Sequence, residues 1–330
     1  MGEVEGKEGK EGTEGLEMVE RSERSERSES SEGSEGSESS GSAEGMADGL
    51  ADGAGHVAVP QGNGSPAGGR VVLVTGGASG IGAAVAGRLA ARGDRVLVAD
   101  IDARRGEAVA ARTGALFLRT NVAELEDNEA AVEAAVAAFG RLDVVHLNAG
   151  ITGGTSLGPD FDLDGYRKIV GINLDSVVFG IQAALPHVRR SGGRIVVTAS
   201  AAALRPSIEV VYSATKSAVV ALVRSLAPVL QRDGVTLNAL CPGLVDTPLI
   251  AARRSSISAA GLPVASAEQV ADAFETVLAD ERTGQAWLVM ADRPVIPFPF
   301  PELPVPGAEK LIAKTIHGAD MGAPSDMETP

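Results

Sequence analysis

Short apolar runs alternate with longer amphipathic stretches along the chain from residue 70 onward. The runs consist mainly of Val, Leu and Ile, which is typical of parallel strands buried on both faces, and the Ala-rich stretches between them have the length of helices. We predict strands at residues 71–75, 95–100, 115–120, 142–147, 193–199, 235–240 and 285–290. The predicted helices span residues 80–92, 103–112, 124–139, 163–188, 210–231 and 267–278.

This order of elements predicts an α/β fold with one doubly wound, Rossmann-like parallel sheet of about seven strands in three α/β/α layers. Crossovers between parallel strands are right-handed almost without exception, so we expect helices on both faces of the sheet. The carboxyl ends of the strands then form a crevice, which is where such folds bind ligands.

The two ends of the chain depart from this pattern, so we place the folded domain at residues 70–292. Residues 1–69 are Glu, Gly and Ser with almost no large apolar side chains. Burial cannot offset the chain entropy of such a segment, and we predict a disordered acidic tail. If Met46 is the physiological start of translation, residues 1–45 of this tail are not made. Residues 293–330 form a Pro-rich extension, in which the segment from Pro294 to Pro306 can be neither a regular helix nor a central strand.

The formal net charge of −15 lies mostly in the N-terminal tail. Residues 1–69 hold 16 acidic and 5 basic side chains, which leaves −4 for the remainder. A nearly balanced domain argues against nucleic acid or an anionic membrane as a partner. The single cysteine, Cys241, cannot form an intrachain disulfide. Because no secretory signal pattern and no uninterrupted apolar run of membrane-spanning length is recognised, we expect a cytoplasmic protein.

A glycine-rich loop, Thr75-Gly76-Gly77-Ala78-Ser79-Gly80-Ile81-Gly82, connects the first predicted strand to the first helix. Glycines let the backbone approach a pyrophosphate, and the helix N-terminus offers it free N–H groups and a positive dipole. Asp100 ends the second strand about 18 residues after Gly82, close to the spacing at which an acidic side chain meets the adenosine ribose. A carboxylate there accepts a hydrogen bond from the 2'-hydroxyl and repels a 2'-phosphate, which predicts NAD over NADP. Capping of the helix that begins near Ala103 is an alternative role for Asp100.

Tyr212 and Lys216 lie four residues apart, on one face of a predicted helix. A phenol titrates near pH ~10, and a nearby cation favours the phenolate. The pair therefore predicts a tyrosine that can act as a proton acceptor. Such pairs also occur on solvated helix faces, but the glycine loop and Asp100 upstream favour the catalytic interpretation.

With these motifs in order, residues 70–291 resemble the short-chain dehydrogenase/reductase family of NAD(P)-dependent oxidoreductases. Further matching motifs are Asn148-Ala149-Gly150 after the fourth strand and Pro242-Gly243 after the sixth. The resemblance implies that the catalytic residues are Asn173, Ser200, Tyr212 and Lys216. The cofactor-binding residues it implies are Thr75, Gly76, Ser79, Gly80, Ile81, Gly82, Asp100, Asn121, Val122, Asn148, Ala149, Gly150, Tyr212, Lys216, Pro242, Gly243, Val245 and Thr247.

The chain departs from the family pattern at three positions. Leu147 stands where the family commonly has a first Asn, and Asn121 stands where an Asp usually meets the adenine; both changes are expected to tune cofactor affinity. Ser200 precedes Tyr212 by twelve residues, where thirteen is more common, so we infer a one-residue deletion in the loop. Thr198, within the strand, is the alternative partner of Tyr212 and ranks behind Ser200.

The resemblance also implies a role for each catalytic residue. Tyr212 is the acid/base, and Ser200 holds the substrate oxygen as a preorganised donor. Lys216 lowers the pKa of Tyr212, together with the positive nicotinamide, and bonds the nicotinamide ribose. Asn173 fixes a water on the proton path to solvent.

We therefore predict an NAD-dependent alcohol or ketone oxidoreductase with a small-molecule substrate that has hydrophobic bulk. An NADP-dependent carbonyl reductase and a non-catalytic dinucleotide-binding regulator are the alternatives. A homodimer or homotetramer is expected from the family and from the apolar outer helix faces. No metal cluster is predicted, and His146 is interpreted as a core residue. The pair Arg253 and Arg254 either binds an anionic substrate or is simply solvated, and we favour the second.

Overall fold

The computed structural model describes residues 69–153 and 157–301, so the predicted N-terminal tail and most of the C-terminal extension lie outside the described residues. The strands are β1 (Val71–Thr75), β2 (Arg95–Asp100), β3 (Leu116–Arg119), β4 (Val144–Leu147), β5 (Arg194–Thr198), β6 (Thr236–Pro242), β7 (Ala286–Val289) and β8 (Ile296–Pro297). The α-helices are α1 (Gly80–Ala91), α2 (Ala103–Thr113), α3 (Leu125–Phe139), α4 (Leu163–Val170), α5 (Ser176–Ser191), α6 (Val210–Leu230), α7 (Arg254–Ala259) and α8 (Ala267–Ala279).

The strands form one sheet in the order β3-β2-β1-β4-β5-β6-β7-β8. The first seven are parallel, and β8 pairs antiparallel with β7. This confirms the predicted doubly wound sheet and adds one short edge strand to it. The strand order reverses between β1 and β4, and a ligand crevice opens at such a switch point.

Two apolar clusters cover opposite faces of the sheet and explain the apolar periodicity of the helices. Val132 of α3, Ile181 of α5 and Val223 of α6 belong to one cluster, and Leu89 of α1 and Phe274 of α8 to the other. All five side chains are buried. The helices are therefore held by their apolar faces on both sides, as the three-layer prediction requires.

The predicted helix over residues 163–188 is confirmed, but it contains a π-helical turn that the sequence did not indicate. The turn, Gly171–Asp175, joins α4 to α5 within one helical stretch, Leu163–Ser191. The turn contains Asn173, which is fully buried and hydrogen-bonds the backbone of Ile151 with its amide group. π-turns are rare and often lie at functional sites. The apolar period of the sequence runs through the turn, so it gave no sign of the local π-helical geometry.

The described part of the Pro-rich extension is neither helical nor a central strand, as predicted; it is extended and completes the sheet edge. Ile296 pairs with Leu288, and the Phe298 N–H donates to the Ala286 carbonyl (N to O 2.7 Å). Phe298 and Phe300 pack on the apolar cluster of α6, and the Arg224 guanidinium lies 3.9 Å from the centre of the Phe300 ring. The extension thus contacts the helix that carries Tyr212.

Two stretches, Leu163–Ser191 and Val210–Asp233, are long and apolar enough to cross a membrane by length and composition alone. Neither stretch is an uninterrupted apolar run, since polar residues break each one, and the sequence therefore gave no sign of them. In the structure both stretches pack on the sheet, and Ile181 and Val223 are among their buried core residues. A helix packed in a protein core also buries many apolar residues, so it can be as long and as apolar as a membrane-spanning one.

Candidate active site

A cleft of about 430 Å³ opens at the carboxyl ends of the parallel strands. Most of the predicted site residues line it, namely Gly76, Ser79, Gly80, Ile81, Asp100, Asn121, Val122, Asn148, Ala149, Gly150, Ser200, Tyr212, Lys216, Pro242, Gly243, Val245 and Thr247. Thr75, Gly82 and Asn173 are not among the lining residues and contact them from behind. The cleft therefore brings together groups from distant parts of the chain, as the resemblance implied.

The glycine loop is packed so closely against its neighbours that side chains do not fit. Gly76 and Gly80 have φ values of +62° and +51°, which favour glycine. A Cβ at Gly76 would lie 2.7 Å from the Ala149 Cα, and one at Gly82 would lie 2.3 Å from the Gly76 carbonyl oxygen. Ser79, the N-cap of α1, makes no capping bond with its side chain, and the first turn has no acidic residue. The loop leaves a helix N-terminus open to an anion.

Asp100 lines the cleft beside this loop, and two backbone N–H groups fix its carboxylate. Oδ2 accepts from the Ala78 N–H (2.9 Å) and Oδ1 accepts from the Asp102 N–H (3.0 Å). The alternative role as helix cap belongs instead to Asp102, whose side chain accepts from the Arg105 N–H at the start of α2. Because a carboxylate has further lone pairs, Asp100 can still accept hydrogen bonds from a ligand.

A chain of buried polar groups holds Asn148 against the glycine loop. Its amide nitrogen donates to the Thr75 and Gly76 carbonyls, and its amide oxygen accepts from the Thr198 hydroxyl (3.0 Å). The same hydroxyl lies 2.9 Å from His146 Nε2. His146 is fully buried, which confirms the interpretation as a core residue, and burial lowers its pKa to about 3. Neutral His146 therefore donates its Nε2–H to the Thr198 hydroxyl, and that hydroxyl donates its own proton to the amide oxygen of Asn148.

Ser200, Tyr212 and Lys216 line the cleft together. Lys216 is buried, and its ammonium group donates to the Thr198 carbonyl (2.9 Å) and lies 5.9 Å from the centre of the Tyr212 ring. The Ser200 hydroxyl is close enough to Tyr212 to lower its pKa as a hydrogen-bond partner. Since the Thr198 hydroxyl is engaged elsewhere, Ser200 is the residue that stands beside the phenol.

The electrostatic setting of Tyr212 differs from the sequence expectation. Burial is the largest influence and raises the pKa of Tyr212; Ser200 and Arg253 lower it, whereas Glu209 and Cys241 raise it. Burial also lowers the pKa of Lys216 to about 8. In the protein alone, the lysine therefore does not bring the phenol pKa below its ordinary value, and a further positive charge is needed to do so.

Asn173 fixes the loop that follows β4. Its amide oxygen accepts from the Ile151 N–H (2.8 Å), and its amide nitrogen donates to the Ile151 carbonyl (2.9 Å) and to the Thr215 hydroxyl. A Cβ at Gly150 would lie 3.3 Å from the Lys216 ammonium nitrogen. The side chain of Asn173 thus shapes the cleft wall next to Lys216.

Nine further residues line the cleft outside the predicted set of site residues, and most of them are apolar. They are Ile101, Thr120, Ile151, Ile172, Thr198, Ala199, Pro248, Leu249 and Ile250. Of these, the sequence pointed only to Thr198, as the alternative partner of Tyr212, and the strand-end position of Thr120 was the one further signal. Across residues 69–153 and 157–301, His, Cys, Asp and Glu side chains form no group of three that could hold a metal ion.

Comparison with known proteins gives consistent similarities. The family model described as short chain dehydrogenase matches residues 70–258. Cis-4-hydroxycyclohexanecarboxylate dehydrogenase from Sinomonas cyclohexanicum is 36% identical over 224 residues, which cover 64% of this chain and 90% of the relative.

Solved structures resemble the fold with sequence identities at or above 30%. A 3-ketoacyl-(acyl-carrier-protein) reductase from Brucella melitensis, complexed with NADH, has a TM-score of 0.63 and 30% identity, covering 68% of this chain and 98% of its own. A short-chain dehydrogenase from Burkholderia cenocepacia, in complex with NADP, has the same TM-score and 32% identity, with coverage of 68% and 97%.

The family match and the architecture agree with the groups found in the cleft. The glycine loop, the open N-terminus of α1 and Asp100 fit a dinucleotide, and Ser200, Tyr212 and Lys216 lie farther along the same cleft. The chain therefore belongs to the short-chain dehydrogenase/reductase family and is an oxidoreductase of CH–OH groups that uses a nicotinamide dinucleotide.

Proposed function

We propose that this enzyme interconverts secondary alcohols and ketones with NAD(H), and that its substrates are uncharged and hydrophobic around the carbinol. The observation that carries the proposal is one continuous cleft that joins the glycine loop and Asp100 to Ser200, Tyr212 and Lys216. Apolar side chains form much of the cleft wall, among them Ile151, Ile172, Pro248, Leu249 and Ile250. An apolar wall favours a substrate with hydrophobic bulk.

The cofactor would be held by the glycine loop at its pyrophosphate, by Asp100 at its adenosine ribose and by Lys216 at its nicotinamide ribose. When bound, NAD supplies the carbon that accepts the hydride and a positive charge on the oxidised ring. During oxidation, the Tyr212 phenolate accepts the proton of the substrate hydroxyl. The Ser200 hydroxyl donates a hydrogen bond to the substrate oxygen and keeps it beside the phenol.

Proton transfer at Tyr212 requires a nearby positive charge that stabilises its phenolate. Burial raises its pKa, and the ammonium of Lys216 is the fixed cation nearest to its ring among the described contacts. Because burial lowers the pKa of Lys216 to about 8, small changes in the surroundings of its ammonium group change the fraction that is charged. We propose that the positive charge brought by the oxidised cofactor shifts Tyr212 toward its phenolate, and that Lys216 supports this shift.

A substrate panel tests the reaction class. Purified protein is mixed with secondary alcohols or ketones of increasing apolar size, and the nicotinamide absorbance is followed with NAD(H) and with NADP(H). We expect turnover with NAD(H), faster for cyclic and branched substrates than for the smallest alcohols. Binding of dinucleotide without any turnover across the panel would contradict the proposed activity and favour a regulatory role.

The preference for NAD over NADP depends on Asp100. Replacing Asp100 with Ala removes the negative charge next to the expected ribose site, so the ratio of dissociation constants for NADP and NAD should fall by about tenfold or more. Equilibrium titration of both cofactors measures this ratio. Glu107→Gln is the control, since Glu107 is exposed on α2 and does not line the cleft. Tighter binding of NADP than NAD by the unmodified protein would overturn the assignment.

We propose that the enzyme assembles as a homodimer or homotetramer. Val178 of α5 and Tyr166 of α4 are exposed to solvent in the single chain, and a partner subunit would cover such apolar surface. Sedimentation at micromolar concentration measures the state directly. A monomer under these conditions would exclude the proposal.

We also propose a cytoplasmic location. The single cysteine, Cys241, is free and buried, which suits a reducing compartment. Fractionation of cells that express the full chain with a tag should recover it with cytoplasmic marker enzymes. Recovery with the membranes would contradict this.

A further inference from the structure

Glu209 connects three segments near the part of the cleft that holds Tyr212, which we call the substrate end. Its carboxylate oxygen Oε1 accepts a hydrogen bond from Nη2 of Arg253 at 2.8 Å and another from the hydroxyl of Thr152. Glu209 directly precedes α6, three residues before Tyr212. Thr152 follows Ile151, which lines the cleft. We call Glu209 and Arg253 the rim pair.

Arg253 reaches the rim from the segment that forms the outer wall. It ends the 3-10 turn Pro248–Arg253, whose first three residues line the cleft. The rim pair is partly screened from water, with exposed side-chain fractions of 40% for Arg253 and 24% for Glu209. Ion pairs of this kind are stronger than those in full solvent, because less water surrounds the charges.

Few charged side chains line the described part of the cleft. Of the described residues that line the cleft, the charged ones are Asp100, at the cofactor end, and Lys216. Arg253 ends the turn that forms part of the apolar wall, and its charge lowers the pKa of Tyr212. Glu209 neutralises it.

We propose that Glu209 determines substrate charge specificity: by pairing with Arg253 it denies a cation to the acidic group of an anionic alcohol, and so favours uncharged substrates. This inference rests on the proposed function and names the substrate class more closely. Removing the Glu209 charge frees Arg253 to pair with a carboxylate or sulfonate at the far end of a substrate. Arg254, the neighbouring cation, pairs with Asp246 beside a second, smaller pocket and serves as the comparison.

The first test compares two substrates that differ by one carboxylate, cyclohexanol and cis-4-hydroxycyclohexanecarboxylate. The kcat/KM ratio of acid to neutral alcohol is measured for the unmodified enzyme, Glu209→Gln, and Glu209→Gln combined with Arg253→Gln. We expect Glu209→Gln to shift the ratio toward the acid by about tenfold or more, and the double variant to lose this gain. Asp246→Asn, which frees Arg254 instead, should leave the ratio unchanged.

The second test does not require turnover. Calorimetry measures the binding of cyclohexanecarboxylate, which has no carbinol to oxidise, to each variant in the presence of NAD. The dissociation constant should fall by about tenfold in Glu209→Gln, less so at high salt, and return in the double variant. Alcohol turnover without this change would refute the role of Glu209 while leaving the proposed function intact. The binding change without any turnover would refute the proposed function alone.

A pH profile distinguishes the charge effect from damage to the fold. The groups that act on Tyr212 are Ser200, Glu209, Arg253 and Cys241, with Lys216 near its ring. Glu209→Gln should move the acid limb of the oxidation profile to lower pH, and Arg253→Gln should move it to higher pH. Shifts in the same direction, together with an unchanged acid-to-neutral ratio in Glu209→Gln, would overturn the inference.

Discussion

Replacing Tyr212 with Phe should lower kcat by a factor of about 10² to 10⁴ while leaving the dissociation constant of NAD nearly unchanged. The ring remains and fills the same space, so only the oxygen that we propose accepts the substrate proton is lost. Single-turnover kinetics separates this effect on the chemical step from an effect on product release. Equilibrium titration of the cofactor provides the binding measurement.

The matched control for this variant is Tyr166→Phe. Tyr166 lies on α4, is partly exposed and does not line the cleft, so loss of its hydroxyl should leave kcat unchanged. Near-normal turnover by the Tyr212→Phe enzyme on a confirmed substrate would move the acid/base role to another residue.

Replacing Lys216 with Met should weaken both cofactor binding and turnover, each by about ten- to a hundredfold. The buried ammonium donates to the Thr198 carbonyl, and we expect it to donate to the nicotinamide ribose as well. Loss of a charge-assisted hydrogen bond costs about 1.5 to 3 kcal/mol. Met keeps most of the side-chain volume, so the fold should persist, and the thermal transition can verify this.

The pH dependence distinguishes Lys216 from a residue that only binds cofactor. A cation favours the phenolate, so its removal raises the pKa of Tyr212 further. We expect the rate of alcohol oxidation to rise with pH as the phenol loses its proton. In Lys216→Met this rise should therefore occur at a higher pH than in the unmodified enzyme. Lys216→Arg keeps the charge and should retain more of the original profile. An unchanged profile in Lys216→Met would limit the lysine to cofactor binding.

The sequence predicted the fold and most of the cleft, because strands and the motifs at their ends are both visible as short local patterns of residues. Apolar runs of strand length define β1 to β7; the glycine loop and Asn148 each follow a strand directly, and Thr247 lies in the loop after β6. Since parallel strands end at one edge of the sheet, residues at those ends must converge. Position in sequence was therefore sufficient to collect them in one cleft.

Features that depend on contacts between distant segments could not be read in the same way. The π-turn around Asn173 keeps the apolar period of an α-helix, so periodicity predicted the helix but gave no sign of the turn within it. The rim pair joins residues 44 apart, and its segments are irregular in sequence. The same limit applies to Tyr212: the four-residue spacing from Lys216 suggested a lowered pKa, but burial, which only tertiary packing determines, raises it.

For His146 the sequence predicted the burial but not the hydrogen-bond partner. Its position in an apolar strand indicated a core histidine, and His146 is buried. The hydrogen bond to Thr198 on the neighbouring strand follows from strand register, with His146 beside Val196 and Thr198 two residues farther on. Sequence spacing within one strand contains no information about that pairing.

Isotope transfer tests the central claim most directly, namely that this cleft moves a hydride between a carbinol carbon and a nicotinamide with Tyr212 as acid/base. An alcohol deuterated at its carbinol carbon is incubated with the enzyme and NAD, and the NADH formed is analysed by mass spectrometry. We predict one deuterium in each NADH formed, and NADH formation slowed by at least about a hundredfold in Tyr212→Phe. NADH without deuterium, or equal rates of its formation by the two proteins, would contradict the mechanism.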